Sequence, residues 1–147
     1  MDTVIFDMDG TLADIAHRVH HVRRKGRKDW TRFHEGISED RPNKAVVSLY
    51  MTLWHSGDYD LQIVTGRNEA HRGATEDWLD RHGIPFNRVT MRADRDFRSD
   101  IVVKQEILER FIEEGRTVLF AVDDRDGVVG MWRQNGVTCL QCADGNF

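Results

Sequence analysis

The chain has 147 residues, of which 31% are charged and 39% are apolar, and its net charge is −4. This composition is typical of a folded globular domain and excludes an intrinsically disordered chain. Its acidic balance argues against a general nucleic-acid coat. No apolar run approaches the roughly 20 residues that span a membrane, and the apolar start is too short for a signal peptide. We therefore expect one domain over residues 1–147, located in the cytoplasm, with no membrane partner.

Short apolar runs alternate with segments of helical periodicity, which predicts an α/β fold with a parallel sheet. The strands are nearly continuous in apolar residues, so we expect both faces of the sheet to be covered. In chain order the predicted elements are a strand at 3–7, a helix at 42–56, a strand at 60–65, a helix at 69–82, a strand at 88–91, a helix at 100–114, a strand at 117–123, a helix at 127–135 and a strand at 137–142.

Residues 13–41 interrupt this alternation and have little core periodicity. We interpret them as a small basic cap inserted after the first strand. Within them, residues 17–28 carry six Lys or Arg, three His and no acid. This run has two readings that the sequence leaves open, a surface for the phosphates of a nucleic-acid strand and a solvated face of the cap.

Two cysteines near the end of the chain, Cys139 and Cys142, have the C-x-x-C spacing of half a zinc site or a redox pair. No second Cys/His pair with matching spacing accompanies them. We therefore expect two small apolar residues on the last strand.

Polar residues cluster where three predicted strands end. Open parallel sheets bind ligands at the carboxyl ends of their strands, so we expect these side chains to meet at one edge of the sheet. They are Asp7 and Asp9 at the end of the first strand, Thr65, Gly66 and Arg67 at the end of the second, and Asp123 and Asp124 at the end of the fourth.

Clustered carboxylates without Cys or His partners favour a hard cation, and Mg²⁺ is the expected cofactor. Such an ion relieves the repulsion between the acids and polarises a phosphoryl oxygen. One carboxylate is then suited to attack phosphorus while another, two residues on, handles the proton of the leaving oxygen. Lys104 and Arg67 would neutralise phosphate charge, and Gly10 would let the backbone approach the phosphate closely.

Each motif alone also has an ordinary structural reading. Strand-end aspartates are common in turns and helix caps, Thr-Gly-Arg is often a turn, and Lys104 alone would be a solvated helix residue. A calcium loop is excluded because neither Asp-Gly motif has the EF-hand spacing of glycine and glutamate. The joint occurrence of the motifs, in order and at strand ends, favours the chemical reading.

Four features of this chain resemble, in order, the four motifs of the haloacid-dehalogenase (HAD) phosphatase superfamily. They are "FDMDGTLAD", "VTGR", Lys104 and "VDDRD". Residues 121–147, with "TEDWLDRHGIPF" and "SDIVVKQEIL", are more narrowly similar to the 3′-phosphatase domain of phage polynucleotide kinase-phosphatase. The resemblance implies a HAD-like Rossmannoid three-layer sandwich with a central parallel five-stranded sheet and a small cap after the first strand.

The resemblance also implies roles for individual residues. Asp7 would be the nucleophile that forms an aspartyl-phosphate, and Asp9 the general acid and later the base. Asp7, the backbone carbonyl of Asp9 and Asp124 would hold Mg²⁺, with Asp123 beside them. The implied phosphate and substrate residues are Thr65, Gly66, Arg67, Lys104 and Arg18, and Asp100 would orient Lys104.

We therefore expect an Mg²⁺-dependent phosphomonoesterase that removes 3′-phosphates from DNA or RNA ends. A nucleotidase or small-molecule phosphatase of the same superfamily is the alternative enzyme. A non-catalytic module that binds nucleic-acid ends is the alternative from another class. The chain has no G-x-x-x-x-G-K-[ST] motif, so a kinase or ligase acting in trans is the candidate partner.

Overall fold

A five-stranded parallel sheet forms the centre of the structure, a computed structural model that describes residues 1–23 and 25–147. Arg24, part of the predicted basic run, lies outside the described residues. The sheet strands are β1 (Asp2–Phe6), β4 (Tyr59–Asn68), β5 (Val89–Arg92), β6 (Val118–Asp123) and β7 (Thr138–Gln141). Their spatial order is β5-β4-β1-β6-β7, and each neighbouring pair is parallel. The predicted α/β fold is confirmed.

Helices cover both faces of this sheet. The four longer helices are α3 (Lys44–Ser56), α4 (Arg72–Arg81), α5 (Asp100–Glu113) and α6 (Asp126–Gln134). Alternate residues of β1 point to opposite faces. Phe6 packs with Tyr50 of α3 and Trp78 of α4, whereas Ile5 packs with Ile107 of α5 and Trp132 of α6. The result is a three-layer sandwich with a separate apolar core on each side of the sheet.

Strand β4 runs three residues beyond the predicted end at 65. Its pairing with β5 changes register between Val64 and Asn68. Gly66 and Arg67, which were expected to follow the strand, therefore lie in its irregular end. The predicted helix at 42–56 starts later, because Pro42 belongs to a short strand and α3 begins at Lys44.

The segment between β1 and α3 forms a small lid, defined as residues 13–42. Its ends are joined by an antiparallel pair of two-residue strands, β2 (Ala13–Asp14) and β3 (Arg41–Pro42). Between them lie α1 (His20–Arg23), α2 (Trp30–Glu35) and a 3₁₀ turn. Periodicity missed these helices because they are short and share a core of only a few side chains, which are Ile15, Val22 and Phe33 with Val19 and Phe147 packed against them.

Both cysteines are free. Cys139 lies on β7 and is buried, as expected of a small apolar residue, and Cys142 follows that strand. Among the helices of residues 1–23 and 25–147, none has the length and apolar character needed to cross a membrane. The single-domain organisation and the cytoplasmic location stay predictions.

Helix α5 offers a matched test of the packing. Ile107 is 1% exposed in the core between α5, α6 and the sheet, whereas Ile112 on the same helix is 58% exposed. We expect Ile107→Ala to lower the free energy of unfolding by about 2–5 kcal/mol, because it removes buried methyl groups and leaves a cavity. Urea unfolding of both variants measures this difference, and Ile112→Ala should fall within about 0.5 kcal/mol of the wild type. Equal losses would contradict the assigned core.

Candidate active site

Three buried carboxylates meet at the carboxyl edge of the sheet. Asp7 directly follows β1, Asp123 ends the adjacent strand β6, and Asp124 comes next in the chain. One carboxylate oxygen from each lies within 4.8 Å of the others. Because β1 and β6 are neighbours at the point where the chain order of the sheet reverses, the topology itself creates this cluster.

Lys104 is the cation that touches this cluster. It lies one turn into α5 and its ammonium donates to Asp7 Oδ1 at 2.8 Å and to Asp123 Oδ2 at 2.9 Å. Burial opposes the charge on Lys104, but Asp123 and Asp7 raise its pKa above the ordinary value. Three carboxylates thus share one buried ammonium.

The excess negative charge changes the proton affinity of the acids. Burial, followed by the charges of Asp123 and Asp124, raises the pKa of Asp7 well above its usual range, although Lys104 opposes the shift. Burial and Asp123 likewise raise the pKa of Asp124. A hard divalent cation would offset this repulsion, and an all-oxygen donor set of carboxylates is suited to it. The cluster therefore fits a metal site.

Gly10 is required by the close packing around Asp124. Its φ is 81°, in the left-handed region that favours glycine. A Cβ at this position would overlap the Asp124 carboxylate. The structure thus adds a reason for this glycine beyond the predicted approach to phosphate.

Asp9 is not one of the three clustered carboxylates. It accepts hydrogen bonds from Arg18 Nη2 at 2.6 Å and from Arg67 Nη2 at 2.5 Å. Burial opposes ionisation, but Arg67 and Arg18 lower the pKa of Asp9 well below its ordinary value. Its carboxylate is therefore ionised in this arrangement.

Asp40, on the lid, is a site residue that the sequence reasoning missed. Its fully buried carboxylate accepts from Arg18 Nε at 2.7 Å and Nη2 at 2.6 Å, and Arg67 lies 3.5 Å away. Two arginines are thus balanced by Asp9 and Asp40. No signal marked Asp40, because an acid in a segment without periodicity gives no indication of its burial.

The remaining predicted residues occupy the irregular end of β4 and the start of α5. Thr65 is buried and its hydroxyl accepts from the backbone N–H of Arg67 at 3.1 Å. Gly66 packs so closely against the Asp100 carboxylate that a Cβ would overlap it. Asp100 does not hydrogen-bond to Lys104; its carboxylate accepts from Arg92 and from Arg125.

Two further side chains orient the carboxylates. The Thr11 hydroxyl donates to Asp7 Oδ2 at 3.1 Å. The indole N–H of Trp132 donates to Asp123 Oδ2 at 3.3 Å. Thr11 lies within the "FDMDGTLAD" motif, which could have indicated its role, whereas no sequence pattern indicates the polar contact of Trp132.

A cavity of about 790 Å³ opens above the clustered acids. Its floor includes Asp7, Asp9 and Lys104, while Trp30 and His34 of the lid contribute to its wall. This volume lies in the range of about 300–1,000 Å³ that is usual for small-ligand sites. The acids therefore face a space large enough for a nucleotide.

Comparison with known proteins gives a family match over the whole chain. The family described as "Polynucleotide kinase PNKP phosphatase domain" matches residues 1–147. This match covers the motifs of all the strand ends that build the site.

Two solved structures are similar at a comparable level. A chain in the "Structure of the Pnkp1/Rnl/Hen1 RNA repair complex" has 30% identity and a TM-score of 0.83 over 99% of this chain and 43% of its own length. A chain in the "Structure of Pnkp1/Rnl/Hen1 complex" has 29% identity and a TM-score of 0.82, over 99% of this chain and 47% of its own length. The present chain therefore spans less than half of these relatives.

More distant structures share the fold. A haloacid dehalogenase-like hydrolase from Streptococcus pneumoniae has 15% identity and a TM-score of 0.65, over 96% of this chain and 84% of that one. A phosphoserine phosphatase, solved as a phospho-aspartyl intermediate analogue, has 18% identity and a TM-score of 0.59, over 97% of this chain and 87% of that one. The HAD-like fold expected from the sequence is confirmed.

The balanced group of Asp9, Asp40, Arg18 and Arg67 predicts a large effect of removing one charge. Asp40→Ala leaves Arg18 buried with half of its carboxylate partners, so we expect a loss of about 3–5 kcal/mol in the free energy of unfolding. Chemical denaturation measures the loss. The control is Asp58→Ala, which removes an exposed acid just before β4 and should change stability by less than about 0.5 kcal/mol. A small effect at Asp40 would show that the lid charges are not essential to the fold.

Proposed function

The chain belongs to the family of phosphatase domains of polynucleotide kinase-phosphatases, and from this premise we propose that it is an Mg²⁺-dependent phosphatase that removes 3′-phosphates from polynucleotide ends. The observation that carries the proposal is the position of Asp7, buried beside Lys104 at the floor of the cavity. An enzyme that transfers phosphate to a carboxylate needs that carboxylate next to cations and open to a ligand.

Asp7 and Asp124 are the side chains that would hold Mg²⁺, with Asp123 beside them and the backbone carbonyl of Asp9 as a further oxygen. When bound, the ion would offset the repulsion of the acids and polarise a phosphoryl oxygen. Lys104 already contacts Asp7 and Asp123, so it keeps the nucleophile oriented and contributes positive charge next to the incoming phosphate.

We propose that a carboxylate oxygen of Asp7 attacks phosphorus while the bond from phosphorus to the 3′ oxygen breaks. The leaving oxygen takes a proton from Asp9, and an aspartyl-phosphate remains on Asp7. Asp9 then accepts a proton from a water molecule, whose oxygen attacks the phosphorus and releases inorganic phosphate. Asp7 is thereby regenerated, and Asp9 is protonated for the next cycle.

The ion pairs of Asp9 place a condition on this cycle. Arg18 and Arg67 keep Asp9 ionised, so it has no proton to give while both guanidiniums contact it. Arg67 lines the cavity, where a phosphate group would compete with Asp9 for its guanidinium. We infer that substrate binding draws Arg67 from Asp9, which lets the carboxyl group take up a proton.

The cavity volume also admits a free mononucleotide, which keeps the nucleotidase reading as a second candidate. The similar structures are RNA repair assemblies in which a Pnkp1 chain accompanies Rnl and Hen1. On that likeness we propose nucleic-acid ends as the substrate and a repair enzyme, such as a ligase or kinase acting in trans, as a partner.

A panel of phosphorylated substrates tests the activity. We expect the wild type with Mg²⁺ to release phosphate from 3′-phosphorylated DNA or RNA oligonucleotides with a kcat/KM at least about tenfold above that for 3′-mononucleotides. The reason is that a strand offers further phosphates to basic side chains. Colorimetric phosphate release measures both rates.

Asp7→Asn is the decisive variant for the mechanism. It keeps the shape of the side chain but replaces the carboxylate with an uncharged amide, a far weaker nucleophile, so we expect phosphate release to fall by at least about 10³-fold while oligonucleotide binding is retained. Asp58→Asn, remote and exposed, is the matched control. Undiminished release by Asp7→Asn would show that Asp7 is not the nucleophile, and faster turnover of mononucleotides would favour a nucleotidase.

Metal binding has a readout that is independent of activity. Since Mg²⁺ would bind the folded acidic cluster alone, saturating Mg²⁺ should stabilise the wild type by about 2.7 kcal/mol at 100 times Kd. Differential scanning fluorimetry with Mg²⁺ and with EDTA measures the shift in Tm. Asp124→Asn should lose the Mg²⁺ response, and Asp58→Asn should keep it. A wild type that does not respond to Mg²⁺ would contradict the proposed cofactor.

A further inference from the structure

Two aromatic side chains line the same cavity as the catalytic acids without belonging to the core. They are Trp30, the first residue of α2 on the lid, and Phe97, in the loop between β5 and α5. We propose that these two side chains form a subsite that stacks on the terminal nucleobase of the substrate. This inference rests on the proposed function and extends it to substrate selection.

Phe97 is 92% exposed, although the loop that carries it is firmly held. The Arg92 guanidinium donates to the backbone carbonyls of Asp96, at 3.0 Å, and Arg98, the two residues that flank Phe97. It also donates to the carbonyl of Gly66 at 2.8 Å. The backbone on both sides of Phe97 is therefore anchored, while its apolar ring is exposed to solvent at the cavity. Such an arrangement is more typical of a ligand contact than of a flexible loop tip.

Trp30 is also held in place while part of its ring stays accessible. The residue is 39% exposed. Its ring meets Phe33 edge to face, with centroids 5.5 Å apart, and lies nearly parallel to His34 at 6.2 Å. The preceding Asp29 caps α2 by accepting from the N–H of Arg32 at 3.1 Å. Because the indole is already ordered, a ligand that binds it would lose little free energy to side-chain ordering.

The charges around the two rings fit a nucleotide. Arg95, two residues before Phe97, lines the cavity, and nothing in the part of the chain that the structure describes pairs with its guanidinium. Its φ of 62° lies in the left-handed region that disfavours side chains, a strained geometry that is common at ligand sites. Arg98, in contrast, is engaged by Asp96 and Glu106. Arg95 is therefore available for a backbone phosphate.

The combination of features selects one chemical class. Every nucleobase has a flat π face that stacks on an aromatic side chain without regard to sequence. A sugar phosphate without a base would have no use for Trp30 and Phe97, and a lipid or protein surface has no reason to share a cavity with Asp7 and Lys104. We therefore assign the subsite to the base at the phosphorylated end, in DNA and RNA alike.

Leucine variants test the stacking directly. Trp30→Leu combined with Phe97→Leu keeps apolar bulk but removes both π faces. For 3′-phosphorylated oligonucleotides that end in a normal base, we expect kcat/KM to fall roughly 10- to 100-fold, since stacking contributes about 1–3 kcal/mol per base. For the same strands ending in an abasic sugar, the variant should match the wild type within about twofold. Ribose and deoxyribose series, assayed side by side, show whether one nucleic acid depends on the subsite more than the other.

Conservative and remote substitutions separate stacking from folding. Trp30→Phe and Phe97→Tyr keep aromatic faces and should restore most of the selectivity for the base. Ile112→Leu, at an exposed apolar position outside the cavity, should leave both rates unchanged. Circular dichroism and the Tm of each variant show whether it is folded.

Arg95→Ala gives a second, independent readout. It should weaken oligonucleotide binding in an Asp7→Asn background and reduce the slope of log Kd against log salt by about 0.7, the value of one phosphate contact on a single strand. Arg88→Ala, which removes an exposed arginine just before β5, should leave the slope unchanged.

Equal losses on base-terminated and abasic strands, or no loss on either, would overturn the subsite. These results differ from a failure of the proposed function, in which the wild type itself would release no phosphate from 3′-phosphorylated strands. A folded double-leucine variant that keeps its preference for a terminal base would likewise contradict the stacking role.

Discussion

The architecture of the site follows from an imbalance of buried charge. Asp7, Asp123 and Asp124 share one ammonium, that of Lys104, at a position where burial limits the screening of their repulsion by water. An arrangement of this kind costs folding free energy and persists where a ligand relieves it. A parallel sheet supplies the rigidity that is needed, because Asp7 and Asp123 stand at the ends of adjacent strands whose backbones are fixed by their pairing.

A second group of charges lies beside the first and is balanced. Asp9 and Asp40 face Arg18 and Arg67, two acids against two guanidiniums. The balanced group needs no added ion and joins the lid to the sheet. The two groups are therefore suited to different tasks. The cluster with excess negative charge is suited to bind a cation, and the balanced group is suited to hold the lid until another anion enters.

The elements that the sequence predicted are those with strong repeating patterns. The five strands and four long helices were found near their expected bounds, because each buries an apolar face of several residues. Strand-end motifs indicated Asp7, Asp123 and Asp124 correctly as neighbours, since chain order fixes which end of a parallel strand they occupy. The irregular extension of β4 to Asn68 could not be predicted from the sequence, because a change of register depends on the partner strand and leaves no local pattern.

Partners within the lid could not be predicted for the same reason. Arg18 was indicated by resemblance, but its contact with Asp40 joins residues 22 positions apart through a fold with almost no periodicity. Asp100 illustrates a different limit. The family resemblance implied that it orients Lys104, yet Arg92 and Arg125 converge on it from two other parts of the chain and bind its carboxylate. A resemblance identifies residues that belong to one site, whereas the competition among all nearby charges decides which of them pair.

That competition also links the lid to the chemistry. Arg18 belongs to the lid and Arg67 to β4, and both contact the carboxylate that the proposed mechanism needs in protonated form. In that mechanism an anionic substrate attracts Arg67, which lines the cavity, and so weakens its hold on Asp9 and on the lid residue Asp40. Entry of a phosphate and preparation of the acid would then be one event. A ligand without a phosphate would lack the charge to draw Arg67 away and would leave Asp9 ionised.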